Sequence, residues 1–335
     1  MKQQMNNPYF WNMFPIHRNR RLRASHSIRE LVQEHKLSPT DFIVPLFVVE
    51  GNNKKEPILS LPDYFRYSLD QLATQVQSLW KKGAKAVLVF VKVPQAKKDN
   101  AGTEAYNADG LMQNAIKTIK NVTPEMVVFT DVALDPYSSE GHDGIVKNGK
   151  VLNDPTIEIL SKMALSHAQA GADALAPSDM MDGRILKIRQ TLEENNFPDV
   201  ILMSYSAKYA SSLYGPFREA LDSAPAFGDK KSYQMNCGNR KVALEETLRD
   251  IEEGADIVMV KPGMPYLDIV RDLSNQINNP IAVYQVSGEY AMLKAAAEKG
   301  WLDHDSVMLE QLLAFKRAGA SLIASYFAEQ AIDLL

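Results

Sequence analysis

Cysteine is almost missing from this chain: Cys237 is the only one in 335 residues. That excludes an internal disulfide framework, a four-cysteine zinc centre and a Cys-x-x-Cys redox pair. Long apolar runs are missing too, since none reaches the roughly 18 residues a membrane-spanning helix needs. The opening stretch, MKQQMNNPYFWNMFPIHRNRRLR, has neither the apolar segment nor the small-residue cleavage site of a secretory signal. Nor is there an excess of one charge. Lys and Arg number 37 against 41 Asp and Glu, a formal net charge of -4, so neither nucleic acid nor an anionic membrane is expected as the main partner. What these absences leave is an ordinary globular chain with the cytoplasm as its expected location.

What is present is a repeated local pattern. KKGAKAVLVF (81–90), AGADALAPS (170–178), EGADIVMVKP (253–262) and RAGASLIASYF (317–327) each carry a helix-patterned segment into Gly-Ala and then an apolar β-branched run. Gly83, Gly171, Gly254 and Gly319 suit the left-handed position just past a helix end. Helix followed at once by strand is half of a βαβ unit, so the sheet should be parallel. The spacing predicts eight strands: Phe42–Val49, Ala86–Val93, Met126–Leu134, Asp173–Pro177, Val200–Ser206, Asp256–Lys261, Ile281–Ser287 and Leu322–Tyr326. Helical patterns lie between them, which favours a (β/α)8 barrel, the TIM barrel, over an open doubly wound sheet. No Gly-x-Gly-x-x-Gly or Gly-x4-Gly-Lys-Ser/Thr loop opens any helix, and a nucleotide-binding fold is correspondingly disfavoured. Residues 1–38 stand outside the alternation. Their Trp, Phe and Tyr content reads as an arm that a neighbouring subunit covers, leaving 39–335 as the barrel.

Reacting groups in such barrels sit where strands end. Those ends carry Asp131 and Asp135, Ser178 and Asp179, Lys208, Lys261, Ser287 and Tyr326. Two lysines from adjacent strands would share one mouth. Repulsion and desolvation would each lower a lysine pKa from its reference of about 10.4, and a neutral amine captures a ketone as a Schiff base. Lys92 also ends an apolar strand but has no such partner nearby in sequence, so it reads as a rim lysine.

Five blocks in order, APSDMMDGRI, YSAKYASSLYGPFREA, VMVKPGMPYLDIV, YQVSGEYAM and FKRAGASLIASYFA, resemble the porphobilinogen synthase family, also called 5-aminolevulinate dehydratase. The resemblance runs from about Arg20 to the C-terminus. It implies a (β/α)8 barrel with an N-terminal arm, assembled as a homo-octamer, that condenses two 5-aminolevulinate molecules into porphobilinogen with loss of two waters. By the same resemblance, Lys261 forms the imine with the substrate on the propionate side and Lys208 binds the other. Ser287 and Tyr326 match residues holding the first carboxylate; Arg218, Lys230 and Gln234 match those gripping the second. Asp131 and Ser178 line the second pocket, and Phe217 and Tyr284 belong to the substrate-binding set. Residues from about 208 to 235 resemble the active-site lid, which keeps water from the imines.

The metal reading follows from a departure. Many family members place three cysteines where this chain has Ala133, Asp135 and Asp143. Oxygen ligands favour Mg²⁺ over Zn²⁺, so the chain looks like the aspartate-rich, zinc-independent branch. Asp135 and Asp143 are either candidates for an active-site ion or simply hydrogen-bonding and charge-steering groups. His142 reads as structural. Glu246 matches a glutamate that binds a regulatory Mg²⁺ in magnesium-responsive relatives, although it lies on a helix rich in glutamate. No organic cofactor is expected. Two other readings remain open on sequence: a Schiff-base aldolase, which would need a phosphate cradle that VSGEY and SYFAEQ do not supply, and a catalytically silent scaffold.

Overall fold

The computed structural model describes residues 15–223 and 225–335. The chain divides into two compact units, Met1–Lys36 and Leu37–Leu335. In the first, residues Asn19–Arg23 form a 3-10 turn and His26–Leu31 a short helix, whose start is capped by Ser25 accepting from the Ile28 amide at 3.2 Å. None of its described residues is buried, and Ile16, Leu22, Leu31 and Val32 are exposed. The Trp- and Phe-bearing stretch before residue 15 lies outside the described residues.

The second unit is a closed parallel barrel. Its strands are β1 (Phe42–Val49), β2 (Ala86–Lys92), β3 (Val127–Val132), β4 (Ala174–Pro177), β5 (Ile201–Lys208), β6 (Ile257–Lys261), β7 (Ile281–Gln285) and β8 (Leu322–Ser325). Each pairs in parallel with the next, and β8 returns to β1 through Phe42↔Ile323 and Ile43↔Ala324. Ten helices follow in chain order: α1 (Leu69–Lys82), α2 (Leu111–Val122), α3 (Asn153–Ala170), α4 (Arg184–Glu194), α5 (Gly215–Leu221), α6 (Lys241–Glu252), α7 (Leu267–Ser274), α8 (Ser287–Glu298), α9 (His304–Ala318) and α10 (Ala328–Leu334). Strands covered by helices outside and packed side chains inside read as continuous apolar runs. That is why β6 is IVMVK and buried throughout, its lysine included.

The four Gly-Ala junctions behave as their spacing predicts: Gly83, Gly171, Gly254 and Gly319 all take positive φ, from 102° to 122°. Strand ends differ from expectation in two instructive places. β3 stops at Val132, short of the predicted Leu134, because the chain turns there: the Tyr137 and Ser138 amides both donate to the Leu134 carbonyl, at 2.9 and 2.8 Å. β5 runs past the predicted Ser206 to Lys208. It does so through a bulge, since Val258 pairs with Ser204 but Val260 pairs with Ala207, leaving one extra residue on β5.

Candidate active site

The bulge in β5 has a direct consequence: Lys208 comes level with Lys261, the two being register partners at the ends of adjacent strands. Both are buried, at 5% and 6% exposure. Lys208 Nζ donates to the Ser178 carbonyl at the end of β4. Among the described residues, Lys261 Nζ has no carboxylate within ion-pair distance; it stands among aromatic rings, 4.5 Å from the Tyr284 centroid, 5.0 Å from Phe217 and 5.2 Å from both Tyr205 and Tyr214. Burial, then repulsion from Lys208, pull the Lys261 amine from 10.5 down to about 7, against the nearby charges of Asp131, Asp135 and Asp143. The lysine does not reach out to water, and near neutral pH a substantial share of it is an uncharged nucleophile.

Three carboxylates face the amines. Asp131 is pushed up to about 7 by burial and by Asp135, against a hydrogen bond from Ser178 and the charges of both lysines. Asp135 and Asp143 share one cation. Lys230 Nζ lies 3.2 Å from Asp135 Oδ2 and 3.0 Å from Asp143 Oδ2, with all three side chains buried. Burial raises Asp143, but the ammonium groups of Lys230 and Lys208 outweigh it and hold that carboxyl down to about 2. Burial likewise opposes the charge on Lys230, and its two carboxylates overcome it, so its pKa is raised.

The segment from Lys208 to Met235, expected to act as a lid, packs over this centre and contributes Tyr214, Phe217, Arg218, Lys230 and Gln234 to the lining of its cavity. Its two ends join where the Met235 amide donates to the Lys208 carbonyl at 3.0 Å and the Ala210 amide to the Met235 carbonyl at 2.8 Å. In between, the Phe217 amide donates to Ser287 Oγ at 3.1 Å. Arg66 donates to the Ala220 and Glu219 carbonyls at 2.6 and 2.8 Å, satisfying the carbonyl end of α5. His142 holds the far side, with Nδ1 3.0 Å from the Tyr233 hydroxyl and Nε2 3.1 Å from the Phe227 carbonyl. Underneath, a cavity of about 30 Å³ is lined by Asp131, Asp135, Asp143, Ser178, Phe217 and Arg218, and by Lys208, Lys230, Gln234 and Lys261. That is room for about one or two waters.

Ser287, Tyr284 and Tyr326 do not line that cavity. Tyr284 belongs to the aromatic wall, its ring facing Lys261 and its hydroxyl donating to the Tyr326 hydroxyl at 3.1 Å, while Ser287 Oγ donates to the Leu213 carbonyl at 3.3 Å. Glu246 is farther off, on α6, with Arg249 at 3.5 Å. Lys92 ends β2 half-buried and outside the cavity lining. A larger cavity of about 610 Å³, lined by His142, Met180 and lid residues Phe227, Ser232 and Tyr233, includes neither Lys208 nor Lys261, so the amine chemistry does not belong there.

Paired buried lysines at the mouth of a barrel suit Schiff-base chemistry, and comparison with known proteins shows the family. Residues 16–334 match the family model for delta-aminolevulinic acid dehydratase. The chain belongs to that family. It is 53% identical over 320 residues to the delta-aminolevulinic acid dehydratase of Methanothermus sociabilis, covering 96% of this chain and 99% of that one. Against the Bacillus subtilis (strain 168) protein of the same name it is 49% identical, with 96% and 98% covered. A solved structure of the Toxoplasma gondii ME49 dehydratase (porphobilinogen synthase), in complex with the reaction product porphobilinogen, superposes with a TM-score of 0.94 at 46% identity, covering 98% of this chain and 95% of that one.

For a member of the dehydratase family, an ion between Asp135 and Asp143, one of the two readings left open for that pair, meets an obstacle here: the Lys230 ammonium occupies the space between the two carboxylates. Among the described residues, no three His, Cys, Asp or Glu side chains are grouped to hold a metal ion. The active-site residues therefore do not fit a second cation in that place while Lys230 remains, and Asp135 and Asp143 act as its charge partners. His142 has both ring nitrogens engaged by protein groups, as a structural histidine would.

Several residues of the dehydratase site escaped the sequence reading. Tyr205 lies between the lysines, its ring 5.2 Å from Lys261 Nζ and 5.8 Å from Lys208 Nζ. A strict period of two puts Tyr205 and Lys208 on opposite faces; the bulge between them removes that objection. Phe90 and Tyr214 complete the cavity lining. Arg66 precedes the lid by about 150 positions and carried no local signal.

Proposed function

We infer that this protein condenses two molecules of 5-aminolevulinate into porphobilinogen, with loss of two waters, in tetrapyrrole synthesis. The observation that carries this is the register pairing of Lys208 with Lys261 inside the closed barrel, in a chain that matches the dehydratase family along nearly its whole length. Each amine takes a different ketone. The neutral Lys261 amine attacks the carbonyl of the first substrate, a proton reaches the carbinol oxygen, and water leaves as the imine forms. The protonated imine restores a positive charge within the ring of Tyr205, Tyr214, Phe217 and Tyr284, whose faces attract a cation by about 0.5–2 kcal/mol each. That charge acidifies the adjacent carbon for bond formation. Asp131, raised to about 7, is placed to pass protons between the two amines.

The carboxylate of the second substrate is a competing anion for Lys230. In this reading Lys230, with Arg218 and Gln234, turns from Asp135 and Asp143 to the incoming carboxylate as the lid recloses. Ser287 and Tyr326 receive the carboxylate of the first substrate. The metal that fits the family resemblance is Mg²⁺ at Glu246. Support there is the half-buried carboxylate, raised by burial and by the neighbouring charges of Asp250 and Asp182, which a divalent ion would relieve. The arm 1–38 is read as a subunit contact in a homo-octamer, supported by the exposed Ile16, Leu22, Leu31 and Val32. Cytoplasmic location belongs to the same reading.

The test is borohydride reduction in the presence of 5-aminolevulinate, with intact mass and peptide mapping. Substrate becomes fixed to Lys261. An adduct on Lys92 instead, or none under conditions that support turnover, rejects the assignment.

A further inference from the structure

Glu289 is 3% exposed, and its contacts are out of proportion to its place in the sequence. It stands in the first turn of α8, where a glutamate ordinarily reaches back to one amide, and here Oε2 does accept from the Val286 amide at 2.6 Å. The same carboxylate also leaves its own helix. Oε1 accepts from the Met264 amide at 2.6 Å and Oε2 from the Gly263 amide at 3.3 Å, both in the loop that follows Lys261. One side chain thus fastens two strand ends together: the loop leaving the imine lysine and the turn presenting Ser287. Neither side has slack. A Cβ on Gly263 would meet the Phe315 ring at 2.7 Å, and one on Gly288 would meet the Leu213 carbonyl of the lid at 2.6 Å.

We propose that Glu289 is a positioning residue for the first-substrate half of the site, setting the separation between the Lys261 amine and the Ser287 hydroxyl. The proposal rests on the Schiff-base reading given above. A γ-keto acid needs its ketone at the amine and its carboxylate at the hydroxyl at the same time, so a fixed spacing converts two weak contacts into one oriented complex. A carboxylate is suited to this because three converging N–H groups need acceptors only. An amide side chain would aim a donor at one of them and leave that amide unsatisfied.

Glu289→Gln tests this with two ketones trapped by cyanoborohydride and quantified on the Lys261 peptide. Levulinate carries the carboxylate; 2-pentanone lacks it. Wild type favours levulinate, and Glu289→Gln loses about tenfold or more of that preference while its reaction with 2-pentanone stays within a few-fold of wild type. An unchanged preference, with only a lowered melting temperature, overturns the proposal and marks Glu289 as a structural cap. If Glu289→Gln does not fold, Glu289→Asp, which keeps the carboxyl group and shortens the reach by one methylene, carries the same test with a smaller loss. A wild type that forms no adduct at Lys261 defeats the underlying functional reading instead.

Discussion

The pH dependence of amine capture at Lys261 is the sharpest consequence of the site's electrostatics. A lysine at its ordinary 10.5 is about one part in three thousand neutral at pH 7, whereas one at about 7 is half neutral. Only the neutral form attacks a ketone. The rate of levulinate capture on the Lys261 peptide should therefore rise about tenfold per pH unit below roughly pH 6 and level off above roughly pH 8. The four aromatic faces favour the cation and act against burial, so the plateau begins no lower than about pH 7. Neighbouring charges fix the direction of two further shifts. Lys208 disfavours the cation on Lys261, so Lys208→Met moves the plateau to higher pH; Asp131 favours it, so Asp131→Asn moves the plateau lower. Cyanoborohydride trapping between pH 5 and 9, read by peptide mapping, measures all three profiles. A rate that keeps climbing tenfold per unit through pH 9 in wild type would refute the reasoning, because the amine would then be titrating as an ordinary solvated lysine.

Other consequences can be checked on the same preparation. Lys230→Met leaves Asp135 and Asp143 buried without their cation, which should cost about 3–5 kcal/mol of stability; urea unfolding reads it, and adding Asp143→Asn should recover part of the loss. Arg66→Met removes two charge-assisted bonds from the carbonyl end of α5, each worth roughly 1.5–3 kcal/mol. The lid then closes less firmly, and steady-state kinetics should show KM raised about tenfold or more with a smaller change in kcat. An unchanged KM would mean that Arg66 merely supports the lid helix. For the metal, a zinc-selective chelator should leave activity intact while removal of Mg²⁺ lowers it, and Glu246→Ala should abolish the response to added Mg²⁺. Zinc dependence would contradict the carboxylate argument.

Legibility in the sequence followed the range of the physics. The four Gly-Ala junctions record a local event, a helix ending in a positive-φ glycine and a buried strand starting, and all four are found in the structure. Lys261 was visible because a lysine at the end of an all-apolar strand is a local anomaly. Asp131 and Asp135 were expected together at the end of β3; they do come together, and a turn after Val132 brings Asp135 back. The partner of Asp135 could not be read at all, since Lys230 is 95 positions away and nothing local distinguishes it from a solvated lid lysine.

Taken alone, the amino-acid order settled the alternation of helix and strand, the parallel barrel and the strand ends at which chemistry could reside, because these depend on side-chain period and on glycine at helix ends. Tertiary structure decided the rest. One extra residue in β5 brings Lys208 level with Lys261; Lys230 is enclosed by two aspartates from a distant loop; and Glu289 joins two strand ends through backbone amides, which leave no side-chain signal. Registers and through-space charge pairs form only when segments far apart in the chain are packed together, and a local pattern holds no record of which neighbour it will meet.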